Sequence, residues 1–199
     1  ASSQTLTTSR SIHSLNIQDT AGRTLTIAAQ TATAPQTLVI NSGGILSTRA
    51  THTITGGFLT AGTYAGSASP YELMFYLPTN QLNVNSVITD NGTPVSVTKS
   101  GASVLVLSPQ IAVNVARTNG ISTVNLGASH QTNQIQVGAT VTGPGIPAGT
   151  TVIAINSATQ IVLSNAQTTT ASGNLTFDRD NTYTGRTFIN EGTLQITRE

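Results

Sequence analysis

The sequence predicts an all-β protein whose strands wind into stacked parallel coils. Three observations lead there: period-two alternation, a recurring corner spacing and the lack of helical patterning. Apolar residues alternate with Thr, Ser, Asn or Gln at Leu25-Thr26-Ile27, Leu82-Asn83-Val84, Val95-Ser96-Val97 and Leu194-Gln195-Ile196. Alternation of this kind puts the apolar set on one face of a strand. The spacing Ile-x-x-Gly-x-(Ile/Leu) occurs at Ile40, Gly43 and Ile45, at Ile54, Gly57 and Leu59, and at Ile189, Gly192 and Leu194. Each copy reads as a strand end, a turn that needs glycine, and a new strand. Coils that turn the same corner reuse the same corner chemistry. No ten-residue stretch carries an i, i+3, i+4, i+7 apolar stripe, and the chain has one Lys, three Glu and one Met.

The 199 residues are enough to bury a real core. Charged residues make up only 8%, against roughly 25% in ordinary globular proteins. Eight Lys+Arg oppose seven Asp+Glu, and Lys99 is the single lysine. Such a chain has no clustered basic patch for nucleic acid or an anionic membrane. Its 36 Thr, 19 Ser and 15 Asn supply solubility through hydroxyls and amides. Thr and Val also favour extended backbone. The absence of cysteine excludes disulfides, thiolate metal sites and cysteine nucleophiles. No apolar run approaches the ~18 residues of a membrane span. Ala1 does not open a signal peptide, so a secreted form would have lost its signal or carry it upstream.

The segment Asn181-Thr-Tyr-Thr-Gly-Arg-Thr-Phe-Ile-Asn-Glu-Gly-Thr-Leu-Gln-Ile196 resembles the autotransporter-associated β-strand repeat, which reads N-T-Y-T-G-G-T-x-I-x-x-G-T-L-x-(L/I). Arg186 stands where that family has its second Gly, which makes this turn less strained or differently shaped. Leu82 to Leu107, with Asn85-Ser86-Val87-Ile88 and Lys99-Ser100-Gly101-Ala102, is similar to the stretch that precedes the repeat. In the family a strand like Val104-Leu-Val-Leu-Ser108 leads straight into N-T-Y-T-G. Here Asn181 arrives some seventy residues later, which implies an insertion at about 110–176. Within it, Thr140 to Ile155 and Gln160 to Asn165 look like a small β module of bacterial surface and phage structural proteins. Its Gly-Pro-Gly and Pro-Ala-Gly turns suit a compact barrel or sandwich.

The resemblance implies a right-handed parallel β-helix, a β-solenoid, exported to the outside of a Gram-negative-type bacterium. The expected organisation is residues 1–109 as the first part of the body, 110–176 as the inserted module and 177–199 as the last part of the body. At ~20–25 residues per coil the body would have about six coils, stacked ~4.8 Å apart. Its inward positions carry Val, Ile and Leu ladders, and its corners suit Asn amide ladders.

Candidate chemistry is thin. His13, His52 and His130 lie far apart without acidic or Ser partners. Asp178-Arg179-Asp180-Asn181 is the densest charged cluster, but a calcium loop would also need Gly and Glu at positions where they are missing. It reads as a polar connection in which Arg179 neutralises its neighbours. The seven carboxylates do not pair for glycosidase work. A lyase base could come only from Lys99 or Arg186, and Lys99 lies in a family-like Lys-Ser-Gly turn. An isopeptide bond from Lys99 has no supporting pattern. Gly143-Pro-Gly-Ile-Pro-Ala-Gly149 lacks the Gly-Lys-Ser/Thr ending of a phosphate loop and reads as a structural turn. Asn174-Leu-Thr176 and Asn91-Gly-Thr93 match glycosylation sequons that a bacterial protein leaves idle.

Tyr71-Glu-Leu-Met-Phe-Tyr76 is the one aromatic cluster. Tyr71, Leu73 and Phe75 share one face, Glu72, Met74 and Tyr76 the other. The second face is either covered or offers Tyr76 to a sugar or a neighbouring subunit. The expected function is a non-enzymatic extracellular structural unit, a segment of a surface fibre or adhesin. It has no expected catalytic residue, metal or cofactor. Leu6, Leu194 and Ile196 are the candidate end-to-end contacts, and Tyr76 the candidate lateral or glycan contact. Expected partners are other copies or adjoining repeats of a longer chain, with surface glycans as the alternative, and neither nucleic acid nor a membrane span. A β-helix polysaccharide-degrading enzyme is the third class.

Overall fold

The computed structural model describes residues 2–27, 36–63, 71–127 and 132–197. His130 and Glu199 lie outside the described residues. Among the described residues the chain divides into two compact units, one comprising residues 2–27, Gln36–Pro109 and 180–197, the other Gln110–Arg179.

The first unit is built from short strands. In chain order they are β1 (Gln4–Leu6), β2 (Arg10–Ile12), β3 (Leu15–Gln18), β4 (Thr24–Ile27), β5 (Thr37–Ile40), β6 (Gly44–Thr48), β7 (His52–Thr55), β8 (Phe58–Ala61), β9 (Glu72–Tyr76), β10 (Leu82–Val84), β11 (Val87–Ile88), β12 (Ser96–Ser100) and β13 (Val104–Leu107). The second unit supplies β14 (Gln110–Arg117), β15 (Thr123–Asn125), β16 (Val141–Thr142), β17 (Val152–Ser157), β18 (Gln160–Leu163) and β19 (Ala171–Asp178). The first unit then resumes with β20 (Thr187–Ile189) and β21 (Thr193–Ile196). Among the described residues there is no α-helix.

Three parallel sheets make up the first unit. Their orders are β1-β4-β7-β10-β13-β21, β2-β5-β8-β11 and β3-β6-β9-β12-β20. Each strand up to β13 pairs with the strand three places along the chain. The ladders then skip the second unit, so that β12 meets β20 and β13 meets β21. All-β structure with parallel pairing is as expected, but the corner spacing is not one corner repeated from coil to coil.

One core serves all three sheets. It includes Ile54, Val84 and Leu107 from the first, Leu38, Leu59 and Ile88 from the second, and Ile45, Leu73 and Phe75 from the third. These residues stack in register: Leu25, Ile54, Val84 and Leu107 are successive partners in the first sheet. Burial of such ladders stabilises at about 25 cal/mol per Å² of apolar surface.

The three copies of the corner spacing lie at three different corners, between β5 and β6, β7 and β8, and β20 and β21. Gly43, Gly57 and Gly192 all have positive φ, at 71°, 41° and 76°. Glycine meets no steric penalty there. At Gly43 a Cβ would also run into the carbonyl oxygen of Glu72 on the neighbouring strand.

The second unit holds two antiparallel sheets, β14-β19-β16 and β15-β18-β17. They share a core that includes Val113, Val124, Val141, Ile161, Leu175 and Phe177. Its last strand continues past residue 176 to Asp178, which stands opposite Gln110 across the β14–β19 ladder. The unit therefore enters and leaves at adjacent positions. Gly143 to Gly149 is a pair of turns between β16 and β17, closed by Ile146 N–H to Gly143 O (3.2 Å) and Thr150 Oγ to Pro147 O (2.6 Å).

Candidate functional site

The repeat-like segment docks onto the strand beneath it through a polar clasp. The Ile88 amide donates to Asn181 Oδ1 at 2.8 Å, and the Thr182 amide returns a bond to Ile88 O at 2.8 Å. Thr182 Oγ donates to Thr89 Oγ at 3.0 Å. The Asp90 carboxylate then accepts from the Val95 amide (2.8 Å), the Thr184 amide (2.9 Å) and Thr184 Oγ (2.7 Å). Burial works against the charge on Asp90, but these three donors outweigh it and hold its pKa below the usual carboxylate value. Tyr183 packs against the core, with its hydroxyl 2.8 Å from Thr187 Oγ. Arg186 has no positive φ, so a side chain fits where the family carries glycine.

Beneath the next corner lies Lys99. It occupies the inward ladder between Phe75 and Ile189 and has no exposed surface. Its ammonium donates to Gly101 O (2.5 Å), Ser100 O (3.1 Å) and Glu191 O (3.1 Å). Two successive corners, Ser100–Gly101 and Glu191–Gly192, are thereby joined by one buried cation. Desolvation lowers its pKa from the ordinary lysine value, and the Glu191 charge partly offsets that. The sequence signal was present: Val95, Val97 and Lys99 alternate, which places Lys99 on the apolar face.

His52 is a second buried polar side chain on an inward position, in register with Leu82. Its Nδ1 accepts from the Arg23 amide at 3.0 Å, and its Nε2 lies 3.1 Å from Thr48 O. The bonding requires the proton on Nε2, so this imidazole is a structural bridge. His13 is exposed and far from it in sequence.

Asp19, Glu72 and Asp90 are engaged separately. Asp19 pairs with Arg23 (Nε–Oδ2 3.1 Å), whose hydrogen bond and charge hold the acid well below the ordinary aspartate range. Glu72 accepts from Thr98 Oγ. Arg179 is buried, which lowers its pKa to about 10. Among the described residues no three His, Asp or Glu side chains gather as a metal cluster would need.

The residues expected at the ends occupy the outer strands of the first unit. Leu6 is partly buried on β1, and Leu194 and Ile196 lie on β21, with Ile196 48% exposed. Ile196 and Leu194 continue the ladders of the buried Leu107 and Leu105. Ile189 likewise continues the ladder of Lys99 and is exposed. At the β1–β3 side a cavity of about 230 Å³ is lined by Leu15, Ile17 and Leu25, with Asp19 and Arg23 beside them.

On the third sheet Leu73 and Phe75 are buried, while Met74 and Tyr76 are 43% and 53% exposed. The outward face of β9 is thus uncovered among the described residues. Comparison with protein-family models, with curated proteins and with solved structures finds no match for this chain.

Proposed function

We propose that the chain is a non-enzymatic structural unit whose three parallel sheets are the faces of a right-handed β-helix carrying the second unit as an inserted β module. The handedness and the extracellular setting, on a Gram-negative-type cell, rest on the resemblance of Asn181 to Ile196 to the autotransporter-associated repeat. A cysteine-free, weakly charged, hydroxyl-rich composition suits that setting.

The observation that carries the reading is the outermost layer of strands. Among the described residues β1 and β21 each have a single neighbour, and no further layer covers the inward residues Leu194, Ile196 and Ile189 as their counterparts below are covered. Open parallel edges over an apolar cross-section are sites for further parallel strands. The proposed partners are other copies of this chain or adjoining repeats of a longer one. If an end leaves about ten backbone groups open, pairing them is worth roughly 5–15 kcal/mol. Association of separate chains costs about 4–15 kcal/mol, so core burial tips the balance. Such head-to-tail contacts do not close and yield filaments.

Electron microscopy and sedimentation of the purified protein test this. Filaments or long oligomers are expected, and Leu194→Asp with Ile196→Asp should abolish them by placing charge in the junction. Isolated 20.4 kDa particles at all concentrations would defeat the assembly of separate copies.

A further inference from the structure

We infer that the outward face of the β3-β6-β9 sheet is a binding site for a neutral saccharide. A shallow cavity of about 350 Å³ opens there, floored by Gly44 and Leu46 and walled by Met74 and Tyr76, with Ser14 and Asn16 along the opposite side. None of its lining residues is charged.

Gly44 creates the hollow. It is the first residue of β6 and pairs with Met74 on β9. Its φ is not positive, so the backbone does not require glycine there. Among the described residues a Cβ at Gly44 would meet nothing closer than Ser42 Oγ at 3.5 Å. Neither conformation nor packing explains the missing side chain. Gly44 thus leaves open space at the start of β6, room for another molecule to approach the backbone closely.

The chemistry of the walls selects the occupant. Tyr76 and Met74 offer a polarisable apolar surface, and the Tyr76 hydroxyl, Ser14 and Asn16 offer donors and acceptors beside it. A pyranose ring has the matching amphipathic form, with an apolar C–H face and a hydroxyl edge. Asn16, Leu46 and Tyr76 are successive partners across three strands, a run of about 10 Å, the length of a disaccharide. An ionic ligand would find no counter-charge in the lining. A protein partner needs about 800 Å² on each side, far more than two exposed apolar side chains supply. Asn16 lies on β3, the outer strand of this sheet, while Gly44, Leu46, Met74 and Tyr76 lie on β6 and β9; the site uses the outward face and none of the inward residues Leu194, Ile196 and Ile189 of the end-to-end reading.

The test is binding of the purified full chain to immobilised neutral di- and trisaccharides of glucose, galactose and mannose, followed by saturation-transfer NMR on those retained. At least one should bind and show transfer from aromatic protons. Gly44→Leu, which fills the hollow without removing a hydrogen bond, and Tyr76→Ala should each weaken binding at least tenfold at an unchanged melting temperature. Phe188→Ala, on the same sheet but outside the cavity lining, should bind like the parent chain. Retention of no neutral sugar, selective retention of anionic sugars, or binding that survives both Gly44→Leu and Tyr76→Ala would overturn the inference.

Discussion

Replacing Lys99 with Met removes the cation that joins two corners while keeping an unbranched side chain of similar length. The Ser100 carbonyl keeps a second donor, the Leu77 amide at 2.9 Å. The Gly101 and Glu191 carbonyls lose the Lys99 donor, at 2.5 Å and 3.1 Å in the parent chain. The Gly101 carbonyl is buried, and leaving it without this donor costs about 1–3 kcal/mol, whereas Glu191 is exposed and its carbonyl can turn to water. Relief from burying an ammonium offsets part of this. A net loss of about 1–2 kcal/mol is expected in the first unit. At roughly 2–4 °C per kcal/mol for a chain of this size, its melting temperature should fall by about 2–8 °C. Calorimetry reads this directly, because two units need not melt together, and the transition of the second unit should stay in place. The pH dependence adds a check. The folded pKa of Lys99 is lowered from 10.5, so between the lowered value and 10.5 the unfolded chain binds more protons. Stability contributed by this group therefore rises with pH across that window, and Lys99→Met should abolish the rise. A Lys99→Met chain as stable as the parent would refute the corner-joining role.

Asp90 should give a slope of the same sign on the acid side: its pKa is lowered from 3.8 by its donors, so its contribution is full above about pH 4 and fades as pH falls through the folded value. Asp90→Asn should flatten the acid limb of the first unit's stability measured by urea unfolding. His52→Leu strips the Arg23 amide and Thr48 carbonyl of their partner and should cost about 2–4 kcal/mol in the same assay. Deleting Gln110 to Arg179 and bridging Pro109 to Asp180 with a short linker should leave the β circular-dichroism signal of the first unit, since the excised ends stand opposite each other in the β14–β19 ladder. Loss of all β signal would show that the first unit cannot fold without the second.

Strand character, inward faces and glycine corners were legible in the sequence because they are local. Alternation assigns Leu82 and Val84 to one face whatever their neighbours, and a left-handed corner selects Gly43, Gly57 and Gly192 before any strand pairs. Pairing partners were decided by the tertiary structure. Nothing within β12 specifies that β20, some ninety residues on, will be its neighbour. That depends on the second unit returning Asp178 to the side of Gln110. Lys99 shows the same division. Alternation gives its face, but only stacking of the Glu191 corner on the Gly101 corner turns that inward position into a three-carbonyl cradle for a charge. The Gly44 hollow is likewise invisible in the chain, where Asn41-Ser42-Gly43-Gly44 reads as an ordinary turn. It exists because parallel register sets Gly44 beside Met74 and Leu46 beside Tyr76, residues about thirty positions apart. Backbone propensity is a short-range property, whereas register is fixed by burial across whole sheets.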